Sequence, residues 1–198
     1  VAFAKYLRYR GAGTVEFLVD TQRSSFYFLE MNARIQVEHP VTEEITGLDL
    51  IAQQIRIAEG RPLGMKQEEV RFNGHAIECR LNAEDCMNNF LPSPGTVSAA
   101  HFPAGPGIRI DSHIETGSVV PPYYDSLLGK LIVWGEDRAT AMIAMKKALE
   151  HCQIDGIENN IKLHRAIMAS KEFTQGAVDS LFLNKLLKTT ALEKTTNG

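Results

Sequence analysis

The sequence predicts an α+β fold in two units. Three observations carry that expectation. Alternating, β-rich runs fill residues 14–38 and recur from 75 to 134, and helical apolar spacing returns after 139. A polar stretch, 61–69, carries Pro62 and Gly64 and reads as a linker between two units. The composition, 44% hydrophobic and 23% charged over 198 residues, fits a globular chain of one large or two small domains and excludes disorder.

Each element follows from local signals. Residues 2–10 read as the end of an amphipathic helix stopped by Gly11-Ala12-Gly13. Residues 14–19 and 26–30 read as a hairpin, with Glu16 opposite Glu30, Leu18 opposite Phe28, Asp20 opposite Phe26, and a loop over 21–25. Residues 30–38 alternate strictly, so an extended chain puts Glu30, Asn32, Arg34, Gln36 and Glu38 on one side. Pro40 ends that run. Thr42 is placed as the cap of a helix bearing Ile45, Leu48, Ile51, Ile55 and Ala58 and ending at Gly60.

Beyond the linker, 75–81 alternates with Ile77, Cys79 and Leu81 on the apolar side and Ala76, Glu78 and Arg80 on the other. Further strands are expected at 96–102, 108–115 and 127–134. Helices are expected at 139–151 and 157–170, with Met142 and Met145 in the core, and a short one at 180–187. Residues from 189 on read as a frayed tail, and the chain's start at Val1 rather than Met suggests a piece of a longer protein.

No run approaches the roughly 18 apolar residues of a membrane span. A net charge of -3 argues against nucleic-acid binding by bulk charge. Cys79, Cys86 and Cys152 form no CxxC pair, which points to reduced thiols, a cytoplasmic setting and no zinc site.

The chemistry-bearing positions lie in the first unit. Glu16 and Glu30 face each other in the expected hairpin, and Asn32 adds an oxygen on the same face. Like charges there are destabilising unless something binds them. An all-oxygen set suits Mg²⁺ or Mn²⁺. A solvated strand face bearing two glutamates accounts for the same spacing. Arg34 offers a fork that fits a carboxylate or bicarbonate, and Glu38 could act as a base; a surface ion pair between them is the bland alternative. Gly11-Ala12-Gly13 and Gly105-Pro106-Gly107 each precede a strand, so neither reads as a phosphate loop. The six histidines show no zinc spacing, and no GxSxG elbow occurs.

The run FLEMNARIQVEHPVTE (28–43) resembles the signature of biotin carboxylases, the ATP-grasp component of biotin-dependent carboxylases. The segments GHAIECRLNAED (74–85), FLPSPG (90–95), PYYDSLLGKL (122–131) and IDGI (154–157) with Asn160 resemble the same family, over about residues 11–187. The resemblance implies the C-terminal part of an ATP-grasp domain at 1–66, the biotin carboxylase C-terminal domain (an antiparallel sheet with helices) at 67–190, and a disordered tail at 191–198.

It implies ATP-dependent carboxylation of carrier-linked biotin by bicarbonate through carboxyphosphate, closest to the bacterial acetyl-CoA carboxylase subunit of fatty acid biosynthesis. Pyruvate, propionyl-CoA and methylcrotonyl-CoA carboxylases remain alternatives, as does a non-catalytic folding or dimerisation module for this chain alone. Residue by residue, Glu16, Leu18 and Glu30 match ATP contacts, and Glu16, Glu30 and Asn32 match metal ligands. Arg34, Gln36, Val37 (through its backbone) and Arg80 match bicarbonate contacts. Arg34, Glu38 and Arg80 match catalytic positions, and Arg80 also matches the biotin contact. Arg109 and Asp125 match positions near a dimer interface, where Pro106 departs from the family's aromatic residue. The implied partners are a biotin carboxyl carrier protein, a carboxyltransferase, a second copy of the chain, and an N-terminal half bearing the lid and phosphate-contacting lysines. Carbamoyl-phosphate synthetase shares the Glu-x-Asn core, but Gln36-Val37-Glu38-His39-Pro40 speaks against it.

Overall fold

The computed structural model describes residues 1–20 and 22–196. The chain divides into two compact units, Val1–Asn73 and Gly74–Gly198.

The first unit opens with a short helix, α1 (Ala2–Tyr6). An antiparallel ribbon follows, β1 (Thr14–Asp20) and β2 (Ser25–Asn32). Glu16 pairs with Glu30 as the alternation predicts. A β-bulge at Leu29 then shifts the register, so that Phe17 pairs with Phe28, Leu18 with Tyr27 and Asp20 with Ser25. The expected pairs Leu18–Phe28 and Asp20–Phe26 are therefore corrected: an extra residue on one strand moves every later pair by one. The loop end is tied by Asp20, whose Oδ1 accepts from the N–H groups of Gln22 and Arg23. One ribbon face is aromatic, with the Phe17 ring 5.4 Å from Phe26 and 6.3 Å from Phe28.

The strand stops at Asn32, and the chain turns through residues 33–38 instead of continuing extended. The expected single helix is two: α2 (His39–Thr46) and α3 (Leu50–Ala58). Pro40 lies in the first turn of α2, where a missing N–H costs nothing, so Thr42 is not the cap. Gly47, at φ 70°, closes α2 in the left-handed conformation, and Asp49 caps α3 by accepting from the Ala52 N–H at 2.7 Å. The buried Glu43 carboxylate accepts from the Leu50 N–H at 2.7 Å and so holds the two helices in sequence.

The second unit is built on a three-stranded antiparallel sheet. Its strands are β3 (His75–Asn82), β8 (Ile108–Ser112) and β10 (Leu127–Gly135), in the order β3-β10-β8. Three short pairs flank it: β4 (Glu84–Asp85) with β5 (Leu91–Pro92), β6 (Gly95–Thr96) with β9 (Val119–Val120), and β7 (Ala99–His101) with β11 (Gln153–Asp155). The single strand expected at 96–102 is thus split between two pairs. The helices are α4 (Arg138–Glu150), α5 (Ile161–Ala169), α6 (Lys171–Gln175) and α7 (Phe182–Thr196). Helix α7 occupies positions expected to be tail; residues 197 and 198 lie outside the described residues.

The core sits between one sheet face and α4. Cys79, Leu81, Leu131 and Val133 meet Met145, Ala148 and Leu149, all buried. Alternation along β3 explains why Cys79 and Leu81 are inside while Arg80 is exposed. The opposite face carries a charged row in cross-strand register, Arg80–Lys130–Asp111.

Candidate functional site

In the first unit the ribbon places Glu16, Glu30 and Asn32 on one face, because paired residues and their i±2 neighbours share a side. The Asn32 Nδ2 donates to Glu16 Oε1 at 2.9 Å and to Glu30 Oε1 at 3.2 Å. The amide nitrogen of Asn32 thus bridges the two carboxylates and holds them on one side of the ribbon. Asn32 Oδ1 accepts from the Arg34 guanidinium at 3.3 Å, and the same guanidinium donates to the Ile35 carbonyl at 3.1 Å. Glu16, Asn32, Glu30 and Arg34 thus form one hydrogen-bonded network. Among the described residues, no group of three or more His, Cys, Asp or Glu could hold a metal; here the chain offers two carboxylates and the Asn32 amide, whose oxygen is turned to Arg34.

Arg34, Gln36 and Glu38 do not lie on a strand face, since β2 has ended. They meet again as the wall of a cleft of about 360 Å³, together with Gly11, Ala12, Gly13 and Thr42. The glycine turn read as a mere strand entrance borders that cleft. Glu38 stands at the N-cap of α2, and its carbonyl accepts from the Val41 N–H at 3.3 Å. His39 braces the turn, with its Nδ1 2.6 Å from the Gln36 carbonyl. Val37 is half-buried in the same turn, and Leu18 lies exposed two residues beyond Glu16 on the ribbon.

In the second unit, Arg80 presents its side chain from the exposed face of β3. Its strand neighbour Lys130 has a side chain 12% exposed, and Lys130 Nζ lies 3.4 Å from Asp111 Oδ2. Arg109 grips Asp111 with two donors, at 2.8 and 2.9 Å. Partial burial pushes the Asp111 carboxyl up, but the Arg109 fork and the Lys130 ammonium outweigh it and hold the group below its ordinary value. Asp125 lies in an exposed turn, where it accepts from the Leu127 N–H at 2.8 Å. Pro106 sits between Gly105 and Gly107 beside a cleft also lined by Lys147 and His151. No local sequence pattern singles out Asn160 or His164 as site residues. Both lie within hydrogen-bond distance of the Arg80 carbonyl, at 2.9 and 2.8 Å, from 80 and 84 positions away in the chain. Among the described residues no helix is long and apolar enough to cross a membrane.

Comparison with known proteins places this geometry. A family described as "Biotin carboxylase C-terminal domain" matches residues 78–185, more than half the chain. The chain belongs to the biotin carboxylase family. Residues 1–66 match a family described as "Carbamoyl-phosphate synthase L chain, ATP binding domain". Relatives that span both regions decide between those two descriptions. A biotin carboxylase of Nostoc sp. is 54% identical over 95% of this chain and 42% of its own length, and biotin carboxylase 1 of Bacillus subtilis is 49% identical over 92% and 41%.

Solved structures agree. The biotin carboxylase domain of a thermophilic 2-oxoglutarate carboxylase bound to bicarbonate superposes with a TM-score of 0.89 at 46% identity, covering 93% of this chain and 42% of that one. The biotin carboxylase of Campylobacter jejuni, solved with a β-γ-ATP complex, gives 0.85 at 47%, covering 92% and 40%. The α+β fold is that of this family. The chain spans about two fifths of the length of the curated biotin carboxylases it matches.

Proposed function

We propose that this chain carries the C-terminal share of an ATP-dependent biotin carboxylase: residues 1–66 as the last part of its ATP-grasp domain and 67–190 as its C-terminal domain. The reaction is carboxylation of carrier-linked biotin by bicarbonate, the first half-reaction of acetyl-CoA carboxylase. The observation that carries this reading is the network joining Glu16, Asn32, Glu30 and Arg34, four different polar groups held together at a strand end. A merely solvated face gives no reason for a shared amide between two carboxylates.

The donor set fits Mg²⁺ or Mn²⁺, with two carboxylates and, once the Asn32 amide turns its oxygen from Arg34 toward them, an amide oxygen, all hard ligands. Glu16, Glu30 and Asn32 would hold the ion, which when bound offsets charge on the ATP phosphates. Leu18 supplies an apolar contact for the adenine. Arg34, Gln36 and the Val37 backbone bind bicarbonate, which the fork geometry of an arginine suits. Glu38 takes the bicarbonate proton, the freed oxygen attacks the γ-phosphorus, and ADP leaves. Carboxyphosphate breaks down to carbon dioxide and phosphate, and that phosphate accepts the ureido N–H proton as the nitrogen attacks carbon dioxide. Arg80 donates to the ureido oxygen as negative charge grows there. The remaining partners in this reading are the biotin carboxyl carrier protein, the carboxyltransferase and a second copy of the chain, with Arg109 and Asp125 near that face, all in the cytoplasm. A related 2-oxoglutarate carboxylase domain was solved as a dimer with MgADP and bicarbonate.

Arg80→Ala tests the reading in this chain joined to the N-terminal region that its relatives carry. Losing one such donor lowers biotin-dependent turnover by about 10²–10³. If Arg80 is only part of a surface ion pair, stability drops by about 1 kcal/mol at most and turnover is normal; that result rejects the assignment.

A further inference from the structure

Strand β3 is an edge strand: among the described residues, within its sheet it pairs only with β10. An edge leaves every second pair of backbone groups to be satisfied by something other than a strand. At Arg80 and Asn82 that role falls to the first turn of α5. The buried Asn160 donates from Nδ2 to the Arg80 carbonyl at 2.9 Å and accepts at Oδ1 from the Asn82 N–H at 2.9 Å. Its own N–H donates to the Asn82 carbonyl at 3.2 Å. His164, one turn along, brings Nε2 to 2.8 Å from the Arg80 carbonyl. A carbonyl only accepts, so Nε2 carries the proton. Burial holds the ring below the usual imidazole value, and the bond to the carbonyl opposes that only in part, so the neutral form prevails at neutral pH.

The diversion of Asn160 is informative. It occupies the N-cap of α5, where an asparagine ordinarily turns its side-chain oxygen onto its own helix. Here the side chain makes no cap hydrogen bond, while Asn159 Oδ1 accepts from the Ile161 N–H at the start of the helix. One residue has given up its local role to act as a strand partner for the two residues around Arg80.

We propose that Asn160, with His164, is a positioning residue for Arg80: together they clamp the β3 backbone at the Arg80 carbonyl and so fix where its guanidinium originates. This rests on the reading of Arg80 given above. The clamp is rigid because it grips one carbonyl with two donors and the next-but-one residue on both its N–H and its C=O. On the other side, Lys130 faces Arg80 across the ladder, and Asp111 partly neutralises it, so the neighbouring cation is held in place as well.

The test compares Asn160→Ala, His164→Ala, His164→Gln and Arg80→Ala in the chain joined to its relatives' N-terminal region. Variants are checked for folding by circular dichroism and for nucleotide affinity. Displacing a reacting group by about 1 Å costs about 10²-fold. Asn160→Ala is therefore expected to lower kcat for biotin carboxylation by one to two orders of magnitude with KM for ATP unchanged. His164→Ala shows a smaller loss, and His164→Gln, which can offer an N–H to the same carbonyl, recovers it. The glutamine rescue is the readout that general loosening does not produce, and it stands even where Asn160→Ala fails to fold. If folded Asn160→Ala and both His164 variants turn over at the parent rate while Arg80→Ala is impaired, the positioning role is overturned and the role of Arg80 survives. If Arg80→Ala itself is silent, both fall.

Discussion

Arg165→Met is expected to destabilise the second unit by about 2–4 kcal/mol. The Arg165 guanidinium closes the C-terminal end of α4. Its Nε donates to the Leu149 carbonyl at 2.9 Å, and one terminal nitrogen reaches the same oxygen at 2.6 Å, Cys152 at 3.1 Å and Glu150 at 3.5 Å. The last carbonyls of a helix lack their usual partners within it; the Leu149 carbonyl also accepts from the His151 and Cys152 N–H groups, but Leu149 and Cys152 are buried, so water does not easily replace the arginine. Bonds from a charged donor contribute about 1.5–3 kcal/mol each, and the helix dipole adds about 0.3–1 kcal/mol. Methionine keeps the apolar stem, which confines the loss to those polar terms. For a unit of this size the shift in melting temperature is roughly 6–12 °C. Urea unfolding read by the fluorescence of Trp134, the single tryptophan of the chain and a residue of β10, reports on this unit alone. Arg165→Lys recovers only part, because an ammonium cannot span several carbonyls as a planar fork does. A loss below about 0.5 kcal/mol, the range of an ordinary surface change, refutes the capping argument.

Three further outcomes are expected. The 198-residue chain alone shows no biotin-dependent phosphate release from ATP with free biotin and bicarbonate, and turnover near that of a complete biotin carboxylase overturns the proposed domain assignment. Asp111 titrates below its ordinary value of 3.8, so its contribution to stability is complete above that value and is lost as pH falls through the lower folded one. The stability gap between the parent chain and Asp111→Asn, measured by denaturant unfolding, is therefore flat from pH 8 to 5 and narrows below about pH 4. Burial pushes the Cys79 thiol to about 12 and Cys152 to about 11, and burial with the nearby Glu84 and Asp85 pushes Cys86 to about 11. All three thiols are expected to react slowly with an aromatic disulfide at pH 8 until denaturant is added; prompt reaction of any one contradicts that.

Local chemistry made much of this readable in advance. Alternation placed Glu16 across from Glu30 and sorted Cys79 and Leu81 from Arg80, because a strand shows a period of two wherever one face is buried. The bulge at Leu29 left no trace, since no glycine marks it. Residues 33–38 alternate like a strand yet turn, so the five polar groups meet through a cleft and a hydrogen-bonded network rather than along one face. Gly47 and Asp49 were visible breaks, but apolar spacing from Ile45 to Ala58 ran across them and hid the second helix start. Asn160 was legible only as part of a family motif. Its partners are about 80 positions away, and no local pattern reports a contact made at that distance.

The bulge at Leu29 divides the hairpin into two reading phases. On the side toward Asn32, odd and even positions of β2 assign carboxylates and amide to one face; on the loop side the assignment is inverted, and Phe28 and Phe26 point away from them. The tip can therefore gain or lose matched residues over evolutionary time without disturbing the Glu16–Glu30 row, because the phase is reset between the two. Loss of Leu29 alone would likewise leave both rows in place, with Phe28 following Glu30 in plain alternation and still opposite Phe17. Pairing Leu29 regularly, without the bulge, would instead bring Phe28 beside Leu18 on the carboxylate face and leave the aromatic side of the ribbon without its central ring.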